Sequence, residues 1–268
     1  MKSVSSNIEV LFVIHAESQS NALWQLWQEI GVVSWIFDPS ITEKGYQQAI
    51  ELKNILLGKV LQKGGDPDMR YFAPDLIVSS PLKRCLLTAN IVFGEIGGDS
   101  PQFFSKKFCQ KQGAMPQWIV HPLVTEKLTE AADIGSLKRD LIDEFPSWDW
   151  SLVSDDFWWY IPAELKCPFH SLIDHQSLFK ANPWSESNHD LDLRISEFLN
   201  WLRNQPANKV VVFTHGSYIS RLVGGPCDLS REGNCKVNNC ESILKTYSRL
   251  EDMTPATHIT GISKSQYD

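Results

Sequence analysis

The segment from Ile8 to Ile14, IEVLFVI, is apolar except for Glu9 and shows no sustained polar alternation. That pattern predicts a strand buried on both faces of a parallel sheet. Two shorter runs share its character: Asp75 to Val78, ahead of Ser79, Ser80 and Pro81, and Lys209 to Thr214 (KVVVFT), ahead of His215, Gly216 and Ser217. Each run ends in small or polar residues and leads into a helical pattern. Thr42 to Leu57 sets Ala49, Leu52, Leu56 and Leu57 on one stripe, which predicts an amphipathic helix. Ser80 reads as an N-cap and Pro81 as a first-turn residue for a helix running through Leu87 and Ile91. A further helix, Asp190 to Arg203, is expected to pack Leu193, Phe198, Trp201 and Leu202. Strand and helix alternating in this way predict a doubly wound, mostly parallel α/β sheet flanked by helices, with ligands at the C-terminal ends of its strands.

Residues 94–188 break that rhythm, with only short periodic pieces such as Leu137 to Phe145. They read as an insertion over the C-terminal edge of the sheet, within a single domain spanning 1–268. The insertion carries Trp118, Trp148, Trp150, Trp158, Trp159 and Trp184 of the chain's 10 tryptophans, so an aromatic roof over the ligand crevice is expected, with Trp158 and Trp159 against substrate.

Composition narrows the function classes. With 43% hydrophobic and 21% charged residues the chain reads as an ordinary globular protein. Its 25 Lys and Arg against 32 Asp and Glu give a formal charge of -7, which argues against nucleic acid or an anionic membrane as partner and leaves a small molecule. None of the 6 cysteines (Cys85, Cys109, Cys167, Cys227, Cys235, Cys240) forms a C-x-x-C pair, and neither they nor His170, His175 and His189 have metal-ligand spacing. Buried or incidental thiols in a reducing compartment are the simpler reading, so a cytoplasmic location and no metal are expected. The apolar run ending at His15 is too short to span a membrane, and no small-residue cleavage pattern follows it.

Three strand ends deliver chemistry to one edge of the sheet: His15 after the first, Ser79, Ser80 and Arg84 after the second, and His215 after the last. Two histidines and an arginine arriving together predict a cationic, anion-seeking pocket, with Arg84 adding to the partial charge of a helix N-terminus.

The segments LFVIHAESQSN (Leu11 to Asn21), DPSITEKGYQQA (Asp38 to Ala49), IVSSPLKRCLLTA (Ile77 to Ala89) and VVFTHGSYISRL (Val211 to Leu222) occur in the order and spacing of the histidine phosphatase superfamily, the phosphoglycerate-mutase-like group. Together with LVTEKLTEAADIGS (Leu123 to Ser136) and NNCE (Asn238 to Glu241), they most resemble its fungal phosphomutase-like branch. The resemblance implies a phosphohistidine mechanism without cofactor. His15 matches the nucleophile. Arg84 and His215 match the clamp on the phosphoryl oxygens. Glu126 sits where the branch carries its general acid, with Glu130 as the neighbouring candidate. Ser20 and Asn21 match positions near phosphate or substrate, whereas Glu17 and Thr42 read as structural. His121 falls in a segment without a clear match.

One departure bears on function. The family motif Arg-His-Gly stands here as Ile14-His15-Ala16, which removes a planar phosphate-binding fork and makes the site smaller and more apolar. Lys53, Lys83 and Arg221 are the cations that could compensate, although none has a position in the pocket from sequence. Three readings follow. One is a phosphomonoesterase for a fairly apolar substrate, with His15 phosphorylated and anion recognition weakened. The second is an acid-base enzyme on the same fold, performing dehydration, cyclisation or bond cleavage on a small aromatic or polyketide-like substrate. The third is a silent phosphatase-like binding protein.

Overall fold

The computed structural model describes residues 6–30, 35–56, 72–94, 115–165, 171–224 and 238–249, with backbone alone for 25–30. Leu57, Cys109, Cys167, His170, Cys227 and Cys235 lie outside the described residues. In chain order the elements are β1 (Asn7–Ile14), α1 (Gln19–Ile30), α2 (Glu43–Leu56), β2 (Leu76–Ser79), α3 (Lys83–Phe93), β3 (Gln117–Val120), α4 (Lys138–Glu144), α5 (Leu172–Ala181), α6 (Asn188–Arg203), β4 (Lys209–Thr214), α7 (Gly216–Leu222) and β5 (Ser242–Ser248). Short 3-10 turns occupy Pro122–Val124, Ala131–Asp133 and Ala163–Leu165.

The five strands form one sheet in the order β3-β2-β4-β1-β5. β1, β4, β2 and β3 run parallel, and β5 joins β1 antiparallel at the edge. The sheet is therefore mixed, and the mostly parallel α/β architecture expected from the strand runs is the one observed. Its side chains divide by alternation. Ile8, Val10, Phe12 and Ile14 of β1 join the core under α6 and α7, while Leu11 and Val13 join the core under α2 and α3. Each such buried aliphatic side chain contributes about 1.5–3 kcal/mol relative to exposure, which fixes the register of the strand that carries His15. α6 buries Leu191, Ile195, Phe198, Leu199 and Leu202 on one face and starts at Ser187, whose side chain accepts from the Asp190 N–H. Leu193, expected in that stripe, falls on the opposite face and is 51% exposed.

β3 lies inside the interval expected to be an insertion and joins the sheet, pairing with β2. The tryptophans of this interval serve packing. Trp118, Trp148 and Trp150 enter the core beneath α2 and α3, and Trp159 and Trp184 form a satellite cluster with Phe179. His175 is buried in the same cluster, accepting from the Trp159 indole at 3.3 Å, and burial lowers its pKa to about 4. Trp158 lies against Gly135 so closely that a Cβ there would come 2.1 Å from its ring, and its indole N–H donates to Ser136 O at 2.9 Å.

The start of α3 shows how distant residues shape the site. Leu82, not Ser80, is the N-cap residue, and it has no side-chain cap. Asp38 supplies one from another loop: Oδ1 accepts from Lys83 N at 2.9 Å and Oδ2 from Ser136 N at 2.9 Å. Asp38 adopts a φ of 43°, a left-handed conformation that Asn also tolerates. Asp38→Asn therefore tests the paired acceptors alone, since one amide N–H must face a backbone N–H. The expected loss is about 1–3 kcal/mol in urea unfolding, the penalty for a buried donor left unmatched.

Candidate active site

The C-terminal ends of β1, β2 and β4 converge on a cleft of about 320 Å³ lined by His15, Ser18, Ser20, Asn21, Trp24, Arg84, Glu126, Lys127, Thr129, Glu130, Ala132, Asp133 and Ser217. His15 follows the last residue of β1, and its backbone is tied on both sides: its N–H donates to Thr214 O at 3.1 Å, and its carbonyl accepts from the Asn239 side chain at 3.1 Å. The next N–H, of Ala16, donates to the Thr88 hydroxyl on α3 at 2.9 Å.

The imidazole has a defined tautomer. Nδ1 lies 2.8 Å from Ala16 O, which can only accept, so Nδ1 carries the proton. Nε2 is then the lone-pair nitrogen, in agreement with the Arg84 Nε–H donated to it at 3.2 Å. Burial, followed by the charge of Arg84, lowers the His15 pKa to about 3, so the ring is uncharged at neutral pH.

Arg84 is buried and largely occupied by protein. Besides His15 it donates Nη1 to Ala132 O at 2.6 Å and Nη2 to Asp133 Oδ1 at 3.0 Å. Asp133 is held in turn, its Oδ2 accepting from Thr129 N at 3.0 Å and Glu130 N at 3.2 Å. The guanidinium charge is thus balanced by a buried carboxylate. Three of its five N–H groups are committed, and among the described residues the other two have no partner.

His215 takes a different place from the phosphoryl clamp implied by resemblance. It is fully buried, does not line the cleft, and turns Nε2 to Ser80 Oγ at 2.9 Å and Cys85 Sγ at 3.4 Å. Its ring centroid lies 5.1 Å from that of His15. Burial, then the charge of Arg84, holds its pKa well below the ordinary value. Burial likewise raises the Cys85 thiol pKa, which leaves it an unreactive packing group.

Both candidate acids face the cleft. Glu126 Oε1 accepts from Lys127 N at 2.9 Å and Oε2 from Ser217 N at 3.4 Å, and its pKa is raised to about 7 by burial and then by Asp133. Glu130 accepts from the Ser20 hydroxyl at 3.5 Å and is raised to about 7 by the same two causes. The expected cationic pocket is consequently not what forms. The uncharged His15, a paired arginine, Lys127 and two protonatable carboxyls make a cleft whose charge follows pH near neutrality.

Ser20 and Asn21 line the cleft. Asn21 Oδ1 accepts from Ser18 N at 3.1 Å and from Asn239 at 3.1 Å, joining the α1 start to the segment before β5. Ile14, Trp158 and Trp159 do not line it: Ile14 packs into the core, and the two tryptophans brace the Gly135 region and the satellite cluster. The aromatic side chain in the cleft is Trp24, 45% exposed. Glu17 and Thr42 bond to each other at 2.8 Å beside Lys44, outside the cleft. His121 caps a 3-10 turn, accepting from Leu123 N, and packs on Trp201. The compensating cations go elsewhere: Lys53 to the carbonyls of Ile91 and Gly94, Lys83 to Glu144, and Arg221 to Asp192. Sequence reasoning missed Asp133, Thr88, Trp24 and Asn239 as individual site residues. Only the Asp-x-Gly-Ser and NNCE matches pointed toward two of them.

Among the described residues no group of three or more His, Cys, Asp and Glu is placed to hold a metal ion, and no helix is long and apolar enough to cross a membrane.

No protein-family model matches the chain, and no curated protein does. Solved structures do. A putative alpha-ribazole-5'-P phosphatase from Escherichia coli K-12 is 17% identical with a TM-score of 0.47, covering 92% of each chain. The alpha-ribazole phosphatase of Shigella flexneri is 16% identical with a TM-score of 0.43, covering 88% of this chain and 89% of that one. A phosphoserine phosphatase mutant from Entamoeba histolytica is 14% identical with a TM-score of 0.41, covering 88% and 89%. All three are named as phosphatases.

Proposed function

We propose that the protein hydrolyses a phosphomonoester of a fairly apolar organic alcohol through a phosphohistidine at His15, with Glu126 as proton donor. The observation that carries this reading is the tautomer of His15: Nδ1 is pinned to Ala16 O, so an uncharged Nε2 lone pair is available without prior deprotonation. In the first step Nε2 forms a bond to phosphorus as the bond from phosphorus to the leaving oxygen breaks, and the Glu126 carboxyl gives its proton to that oxygen. In the second, water adds to phosphorus while the Glu126 carboxylate takes a water proton. The nitrogen–phosphorus bond breaks, inorganic phosphate leaves, and both groups return to their starting states. The two uncommitted N–H groups of Arg84 would meet the phosphoryl oxygens. The ordered motifs resembling the histidine phosphatase superfamily support the same assignment.

The experiment supplies a panel of phosphomonoesters and follows both phosphate release and acid-labile phosphate on His15. Release accompanied by label on His15 is expected, whereas release without label, or no release from any ester, overturns the reading. A pH profile adds a second check. Glu126 must be protonated to donate, so kcat/KM is expected to fall above about pH 7, approaching tenfold per unit. Because Glu130 titrates in the same range, variants assign the limb. Glu130→Gln should keep it, and Glu126→Gln should lower the rate and abolish it.

The Arg84–Asp133 pair favours a second reading. With the guanidinium charge balanced and the His15 ring neutral, the cleft suits an uncharged substrate, on which His15 as base and Glu126 as acid would perform dehydration, cyclisation or bond cleavage. Saturable binding of a neutral aromatic compound, without phosphate release or His15 labelling, would support it over the first.

A further inference from the structure

The segment that carries Glu126 is anchored through its backbone. Four successive carbonyls are taken by side chains from two other elements. Arg194, on α6, donates Nη1 to Leu123 O at 2.9 Å and to Thr125 O at 2.8 Å, and Nη2 to Glu126 O at 3.0 Å. Thr214, the last residue of β4, donates its hydroxyl to Val124 O at 2.7 Å. In a turn without a ladder partner these acceptors would otherwise be left for water.

Arg194 is itself immobilised. Its Nε donates to Glu186 Oε1 at 2.6 Å and its Nη2 to Oε2 at 2.8 Å, so all five N–H groups of the fork are committed. Glu186 is 2% exposed, and its Oε2 also accepts from Leu128 N, two residues beyond the acid. The Tyr218 ring lies 5.6 Å from the guanidinium carbon. Because a buried carboxylate balances it, this arginine brings little net charge to the cleft and acts through the shape of its donors. A lysine would keep the charge but has no planar fork to span three carbonyls and a carboxylate.

We propose that Arg194, locked by Glu186 and assisted by Thr214, is the positioning residue that sets where the Glu126 carboxyl stands in the cleft. The proposal rests on the reading of Glu126 as proton donor. Misplacement of a catalytic group by about 1 Å can lower a rate by about 10²-fold, so an acid held on a turn depends on what holds the turn.

The test uses full-length Arg194→Lys with two substrates: an alkyl phosphate, whose alkoxide needs a proton to leave, and p-nitrophenyl phosphate, whose phenolate leaves without one. Expected is a fall in kcat/KM, which reports only the steps through transfer of phosphate to His15, of about 10–100-fold on the alkyl ester, with kcat/KM on the aryl ester nearly unaffected. Equal losses on both esters, in proportion to the folded fraction, would mean a merely structural role and overturn the proposal. Glu126→Gln serves as the reference. If it lacks the leaving-group dependence, the reading of Glu126 as the acid is wrong. If it shows the dependence and Arg194→Lys does not, positioning by Arg194 is wrong. Thr214→Val, which leaves the Arg194–Glu186 pair intact, should give the same pattern more weakly and covers the case in which Arg194→Lys does not fold. A carbon-13 titration of the Glu126 carboxyl needs no turnover: Arg194→Lys is expected to move it down toward the ordinary glutamate range, and an unchanged titration would count against the proposal.

Discussion

His15→Ala should lower turnover of the preferred phosphomonoester by about 10⁴-fold or more, the scale seen when a covalent nucleophile is removed while binding groups remain. The substitution deletes the only lone pair that the His15 tautomer offers to phosphorus, so the nitrogen–phosphorus bond cannot form and direct attack by water is left. The fold should survive. The imidazole bonds to the next residue's carbonyl and to Arg84, while the backbone bonds to Thr214 and Asn239 do not need it. His15 also borders the cleft, so the vacated volume opens to solvent and leaves no sealed void. Phosphate release, with circular dichroism to verify folding, measures the effect. Residual activity within about tenfold of wild type would exclude His15 as nucleophile.

Arg84→Met should damage both fold and activity. Arg84 and Asp133 are buried at a separation of 3.0 Å, and truncating one partner of such a pair typically costs about 3–5 kcal/mol because the other charge stays uncompensated. Denaturant unfolding near pH 7.5 should show a loss of that size. Adding Asp133→Asn should return much of it, since the amide oxygen can still accept from Thr129 or Glu130, yet turnover should stay lost because the guanidinium N–H groups assigned to the phosphoryl oxygens are gone. The deficit should also shrink on acidification. Burial already raises the Asp133 pKa, and without Arg84 it rises further, so the folded state holds a proton the unfolded state releases. The single variant regains relative stability as pH falls through the raised pKa and loses it as pH climbs back. A deficit independent of pH would mean that lost packing, not the stranded carboxylate, dominates.

Much of the scaffold was legible because its signals are local. The KVVVFT run is β4 to the residue, the two amphipathic helices fall within two residues of their expected starts, and His15, Arg84 and Glu126 reach one cleft. What was not legible depends on neighbours distant in sequence. Arg84 announces a cation, but its partner lies 49 residues on in a loop, and the charge of the site turns on that pairing. Ile14 leaves the motif arginine absent, and strand alternation sends its side chain into the core, so it does not line the cleft. The tryptophan excess suggested a roof over substrate, while burial and Gly135 claim those rings for packing. Ser80 has the right chemistry for a cap, but its hydroxyl meets His215 and the Leu82 N–H just ahead of the helix, and Asp38 caps the helix from another loop.

The anchoring of Glu126 has an evolutionary corollary. Arg194 and Thr214 recognise only peptide oxygens, which every amino acid possesses, so at residues 123–125 any substitution that preserves the packing of Leu123, Val124 and Thr125 would keep the anchorage of the acid. For the hydrogen bonds themselves, selection would act on a guanidinium 68 positions away and on the acid that pins it, so the geometry beside the acid is inherited through a different helix.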